Sequence, residues 1–287
     1  HPRIDPVTGE MVLFRYDLGE PYLAWGRVAA DGTVTRPLTP IAVDGSHMIH
    51  DFVLTPRYVV LFVAPAKFDL QALLTGTGPP LAWHADEPVR IAIVPRDGSA
   101  VRWVETEPFW AYHFANGYED GDTIVVDLSW WKMFALTADP AQAGATARAR
   151  IDVPAGRVTI DHYDERVSEF PRIDDRLQSQ PHRYFTVSGK APGLGTGTWN
   201  VLRRVDTRTG AVAEWDSGSK VFGEVVFAPA VGGAPEQGYY VTFRTDLETL
   251  TSDWVVLDAA DIGAGPIATV PLPGRVPDGL HGSWFPA

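Results

Sequence analysis

Residues 44–68, DGSHMIHDFVLTPRYVVLFVAPAKF, contain a β-branched and aromatic run, YVVLFV, that can only be strand. Two histidines, His47 and His50, stand three residues apart just ahead of it. Gly-Ser-His-Met, residues 45–48, coincides with a common expression-tag scar, yet it lies mid-chain and Met48 runs on into the strand pattern. The imidazoles therefore belong to the protein. Their place at the mouth of a buried strand needs a reason.

Similar short apolar or alternating runs recur along the chain: EMVLFRYDL (10–18), VRIAIVP (89–95), TIVVDL (123–128), RVTID (157–161), KVFGEVVFAP (220–229), GYYVTFRTD (238–246) and WVVLDA (254–259). Tight-turn signals separate them, among them PVTGE (6–10), AADGTV (29–34), PRDGSA (95–100) and TRTGAV (207–212). Helical periodicity is almost absent. FDLQALLTG (68–76) suits two turns of helix, and WWKMFALTADPAQAGATARA (130–149) reads as a short helix followed by an Ala/Gly-rich surface loop. Strands at regular spacing without interleaved helices predict an all-β fold: a sandwich, a barrel or a propeller. A sandwich is oversized at 287 residues, and no composition shift splits the chain, so residues 1–287 read as a single domain with a propeller favoured.

The net charge of −12 disfavours nucleic acid, which needs a basic face to neutralise phosphates. It also disfavours electrostatic attraction to anionic lipid, though not an apolar membrane contact. With no cysteine there is no disulfide, thiolate zinc site, iron–sulfur cluster or cysteine nucleophile, which fits a cytoplasmic location. No run reaches the roughly 18 apolar residues of a transmembrane helix.

Eight histidines are present, and none falls in a local metal motif, so spacing alone specifies nothing. An isolated histidine is more often a half-buried hydrogen-bonding residue than a ligand. His84, His162 and His182 lie in polar, turn-like contexts such as WHADEP and QPHRYF and read as surface residues. His1, His50, His113 and His281 share a different context, each beside an apolar or aromatic strand edge. Side chains from strands so far apart converge only at the axis of a closed or radial β architecture.

Six segments carry a resemblance. HPRIDPVTGEM (1–11), MIHDFVLTPRYVV (48–60), YHFANGYEDGDTIVVDL (112–128), SEFPRID (168–174), GEVVFAP (223–229) and GLHGSWFP (279–286) resemble, in order, the signature segments of the carotenoid cleavage oxygenases, which include the lignostilbene dioxygenases. The resemblance implies a seven-bladed β-propeller with Fe(II) on its axis, held by four histidines. Carried across by segment, the metal ligands are His1, His50, His113 and His281, while His47 is a loop residue that precedes one of them. Glu169 and Glu224 fall where the family places carboxylates behind the iron histidines. A ligating imidazole normally donates its other N–H to such a group. Asp51 reads as a support for local geometry rather than a ligand. The implied reaction is cleavage of a conjugated C=C bond of a carotenoid, apocarotenoid or stilbene by O2 into two carbonyl products.

The aromatics Phe52, Trp110, Phe114 and Trp284 are candidates to line an apolar passage, with Phe114 preferred because it follows a ligand directly. FDLQALLTGTGPPLAW (68–83) is a modestly apolar loop that would suit peripheral membrane contact, or simply a surface turn. The family pattern extends upstream of His1 for about two more blades, so this chain is expected to supply roughly the C-terminal two-thirds of the propeller and to be unstable and inactive alone. Two rival functions stand beside the oxygenase. One is a glycoside-acting enzyme built on the carboxylates of DHYDERVSEF (161–170), a cluster that otherwise reads as a solvated loop; the other is a non-catalytic binding propeller.

Overall fold

A computed structural model describes residues 1–134, 144–191, 198–277 and 279–285. It consists almost wholly of antiparallel sheets, each a short meander of the kind that alternating runs and tight turns produce. The first sheet contains β1 (Arg3–Ile4), β2 (Met11–Tyr16), β3 (Leu23–Val28) and β4 (Val34–Pro40). The second contains β5 (Val53–Leu54) and β6 (Tyr58–Val63). The chain then makes a small ribbon of β7 (Ala66–Phe68) and β8 (Leu81–Trp83) around helix α1 (Leu70–Thr75). It returns to the second sheet as β9 (Val89–Pro95) and β10 (Arg102–Thr106). The third sheet is β11 (Phe114–Asp120), β12 (Thr123–Trp131), β13 (Gly144–Asp152) and β14 (Arg157–Asp164). The fourth is β15 (Ser168–Arg172), β16 (Tyr184–Gly189), β17 (Val201–Asp206) and β18 (Val212–Asp216). In the fifth, β19 (Lys220–Phe222) and β20 (Val226–Pro229) both pair with β21 (Gly238–Asp246), which continues to β22 (Ser252–Asp258) and β23 (Pro266–Pro271).

These five sheets are propeller blades. The leading strands stand side by side near a common axis, where β11 contacts both β5 and β15. Between the second and third blades, Val60, Ile91, Ile93, Ile124, Val126 and Leu128 are each no more than 1% exposed. Burying each such side chain contributes roughly 1.5–3 kcal/mol, so blade-to-blade packing holds the radial array. Gly117 on β11 marks the closest approach. A Cβ there would overlap Val53 Cγ1 on β5. Gly117→Ala is therefore expected to destabilise the protein by about 1–3 kcal/mol, read from the urea midpoint; an unchanged midpoint would mean the blades are not held this tightly.

Three expectations need correction. The stretch GATARAR (144–150) is not a loop but part of β13, with Ala147 and Ala149 fully buried. Small side chains fit a central strand covered on both faces, and that packing overrides alanine's weak strand preference. The helix expected in the same segment falls on residues 135–143, which lie outside the described residues. His182 is not at the surface: its side chain is fully buried, with Nε2 3.0 Å from Asp127 Oδ2. DHYDERVSEF is not a loop cluster either. Asp161 and Asp164 lie on β14 and pair with Arg150 and Arg166, while Glu169 lies on β15 and turns inward.

Candidate metal centre

The blades bring four histidines to one place. His1 precedes β1, His50 precedes β5, His113 immediately precedes β11, and His281 lies on the segment after β23. That last segment is drawn back by the interruption between β19 and β20, where the Glu224 carboxylate accepts the Gly282 N–H at 2.8 Å. One ring nitrogen from each of His1, His50, His113 and His281 lies within 4.8 Å of all the others. Nitrogens each about 2.1 Å from one ion can stand at most about 4.2 Å apart, so a small contraction would seat a metal.

The tautomer of His113 is fixed from behind. Its Nδ1 donates to Glu169 Oε2 at 2.6 Å, and the same carboxylate takes Trp131 Nε1–H at 2.6 Å and Phe170 N–H at 3.0 Å. The other nitrogen, His113 Nε2, is buried and has no hydrogen-bond partner among the described residues. A buried lone pair facing three other imidazoles is the arrangement a cation would satisfy. His281 Nδ1 stands 3.5 Å from Glu224 Oε1, and Arg172 Nη1 pairs with Glu224 Oε2 at 3.1 Å.

Electrostatics act in opposite directions on His50 and His113. Burial, followed by the neighbouring His113, pushes the His50 pKa down to about 4, so its ring is neutral at physiological pH. For His113 burial acts in the same direction, but the Glu169 carboxylate outweighs it and the net shift is upward. Burial raises the Glu224 carboxyl, while His281, Arg172 and the Gly282 N–H hold it below its ordinary value. A neutral four-nitrogen set suits iron(II) and leaves coordination positions open.

Other residues singled out in the sequence are spread more widely. His47 stays outside the set: it is buried and hydrogen-bonds Ala64 O and Asp44. Phe114 is 2% exposed with its ring 4.8 Å from Phe62, and Phe52 and Trp110 are equally enclosed. Trp284 lines an apolar cleft of about 310 Å3 beside His281, together with Val226, Val241 and Trp254. Tyr112 faces the imidazoles with its ring centroid 5.6 Å from His50, and Phe170 does so with ring centroids 5.4 Å from His113 and 5.8 Å from His281. Its backbone is left-handed (φ 53°), a conformation that costs a bulky residue about 1–3 kcal/mol. The only sequence signal for Phe170 was its place after Glu169.

A profile of the family described as retinal pigment epithelial membrane protein (RPE65) matches residues 1–286. The chain belongs to this carotenoid cleavage oxygenase family. It is similar to the carotenoid cleavage oxygenase of Mycobacterium tuberculosis, at 30% identity over 100% of this chain and 68% of that protein. It is also similar to the apocarotenoid-15,15'-oxygenase of Synechocystis, at 27% identity over 99% of this chain and 62% of that one. Among solved structures, the lignostilbene dioxygenase of Pseudomonas brassicacearum superposes with a TM-score of 0.92 at 28% identity, over 100% of this chain and 65% of that chain. The chain thus spans about two-thirds of the length of these oxygenases, and its fold is theirs, a seven-bladed β-propeller of which five blades are described.

Proposed function

We propose that residues 1–287 form part of one propeller domain, the part carrying the iron centre of an oxygenase that splits a conjugated C=C bond with O2 into two carbonyl products. The observation that supports this most is the meeting of four imidazole nitrogens within 4.8 Å, from four separate parts of the chain. His1, His50, His113 and His281 would hold Fe(II), whose contribution when bound is to coordinate and activate dioxygen.

This chain's own residues supply the rest. Glu169 holds the His113 proton on Nδ1, so Nε2 faces the axis as a donor lone pair. Glu224 plays the same part toward His281 and ties its segment to the fifth blade. Phe170 packs against one side of the imidazole set, beside His113 and His281. The substrate is an apolar conjugated alkene of the carotenoid, apocarotenoid or stilbene class, a range that matches the names of the similar oxygenases. No described helix is long and apolar enough to cross a membrane. Leu70 and Leu74 on α1, 43% and 80% exposed, suit a shallow contact with a bilayer from which such a substrate is drawn. The carboxylate rival has less support, since Asp161 and Asp164 are taken up in ion pairs with Arg150 and Arg166 and Glu169 in the contact with His113.

Incubation of the iron-loaded whole protein with β-apocarotenals and with resveratrol-like stilbenes is expected to release aldehydes from one of the two classes. Turnover of neither would leave a propeller that binds metal without this chemistry.

A further inference from the structure

His1, His50 and His113 come from three different blades, and hydrogen bonds within any one sheet do not set the distance between them. A charged pair near the axis does join their segments. Arg3, two residues after His1, places Nη2 2.5 Å from Asp51 Oδ2 and donates to Phe114 O at 3.0 Å. Asp51, the residue after His50, accepts the Phe114 N–H on Oδ2 at 3.0 Å and the Phe52 N–H on Oδ1 at 2.8 Å. Phe114 is the residue after His113. The N–H and C=O of one residue in a leading strand are thus both met by this pair, as a neighbouring strand would meet them.

The attachment continues along the third blade. Arg3 Nη1 donates to Gln178 Oε1 at 3.3 Å, and Gln178 Nε2 donates to Asn116 Oδ1 at 2.9 Å, two residues further along β11. The Asp51 side chain is only 2% exposed and that of Arg3 17%, so water does not compete for these bonds. Both Asp51 oxygens are engaged, which removes it as a ligand. A buried ion pair adds little net stability over apolar residues of the same volume; what this pair fixes is geometry, through both Asp51 oxygens and both Arg3 Nη groups, while Arg3 Nε has no partner among the described residues.

We propose that Arg3 and Asp51 are positioning residues for the metal centre, a clamp that sets the spacing at which the imidazoles of His1, His50 and His113 meet one ion. This rests on the reading of the four histidines as ligands. Neither residue touches metal or substrate; each acts through the backbone beside a ligand.

The test is Co(II) titration of the metal-stripped whole protein, followed by its electronic absorption bands, at a temperature where circular dichroism shows every variant folded. His113→Ala is the control for the ligand reading; if it bound Co(II) like the parent, that reading would fail whatever the clamp does. With the reading intact, Asp51→Asn and Arg3→Met are expected to weaken Co(II) binding by about 10–100-fold and to shift its absorption bands. Arg3→Lys, which keeps the charge but loses the fork, should recover part of the affinity. If Asp51→Asn does not fold, Arg3→Met carries the test, since its side chain lies at the rim of the cluster. Parental affinity and spectrum in the folded variants, with only a lowered melting temperature, would reduce the clamp to a structural ion pair and overturn the proposal.

Discussion

His113→Ala in the whole protein is expected to abolish stoichiometric iron binding, and Glu169→Gln to weaken it by about 10–100-fold while leaving the fold intact. His113 is the most strongly determined of the four imidazoles. Glu169 takes three N–H donors on two oxygens: Trp131 on Oε1, and His113 with Phe170 on Oε2. Glutamine offers one acceptor oxygen where the site requires two. Its NH2 group would then face either the Trp131 N–H or the paired N–H groups of His113 and Phe170, a donor against a donor in either orientation. The ring would turn, or its proton would move to Nε2 and occupy the lone pair aimed at the axis. Metal analysis after reconstitution with Fe(II), alongside circular dichroism, reads both variants. Full iron content in His113→Ala would remove this residue from the ligand set, and parental affinity in Glu169→Gln would mean that the carboxylate orients nothing.

How much of this was legible beforehand depended on whether the signal was local. Runs such as YVVLFV and VRIAIVP became β6 and β9 because β-branched residues between turn formers admit little else. The all-β class followed from repeating that observation. β13 leaves no such local signal, because its alanines follow from a non-local fact, the space left between two neighbouring strands and two blades. The burial of His182 is hidden for a related reason: QPHRYF looks polar in sequence, yet Asn116 and Asp127, more than fifty residues away, meet its ring nitrogens. The four axial histidines carried no spacing rule of their own and were found through six segments in order. Their meeting within 4.8 Å is a property of radial geometry that a one-dimensional reading does not contain. Asp127 did leave a trace. An aspartate inside TIVVDLSW must find a partner if the strand is buried, though only the fold says which.

That partner makes Asp127→Asn the stability change with the largest expected cost, about 3–5 kcal/mol. Asp127 on β12 is fully buried. Arg148 on β13 donates Nε to Oδ1 at 2.9 Å and Nη2 to Oδ2 at 2.7 Å, a two-point fork. Asn116 Nδ2 donates to His182 Nδ1 at 3.1 Å, which leaves the His182 proton on Nε2, 3.0 Å from the same carboxylate. An asparagine would set its NH2 against a guanidinium or an imidazole N–H and leave the Arg148 charge uncompensated. Burial alone would raise the Asp127 pKa, but His182 and Arg148 outweigh it and hold the carboxyl below its ordinary 3.8. The sign of the pH dependence follows. A depressed folded-state pKa stabilises above the unfolded value and loses that contribution as pH falls through the folded value. The gap in urea stability between parent and Asp127→Asn should therefore stay constant from about pH 5 to 8 and narrow below about pH 4. The double variant Asp127→Leu/Arg148→Met should regain much of the loss, since apolar replacement of a whole buried pair is often neutral while removal of one partner is not. A single variant within about 1 kcal/mol of the parent at pH 7 would show that Arg148 reaches solvent or another anion, and that this pair does not hold the third blade together.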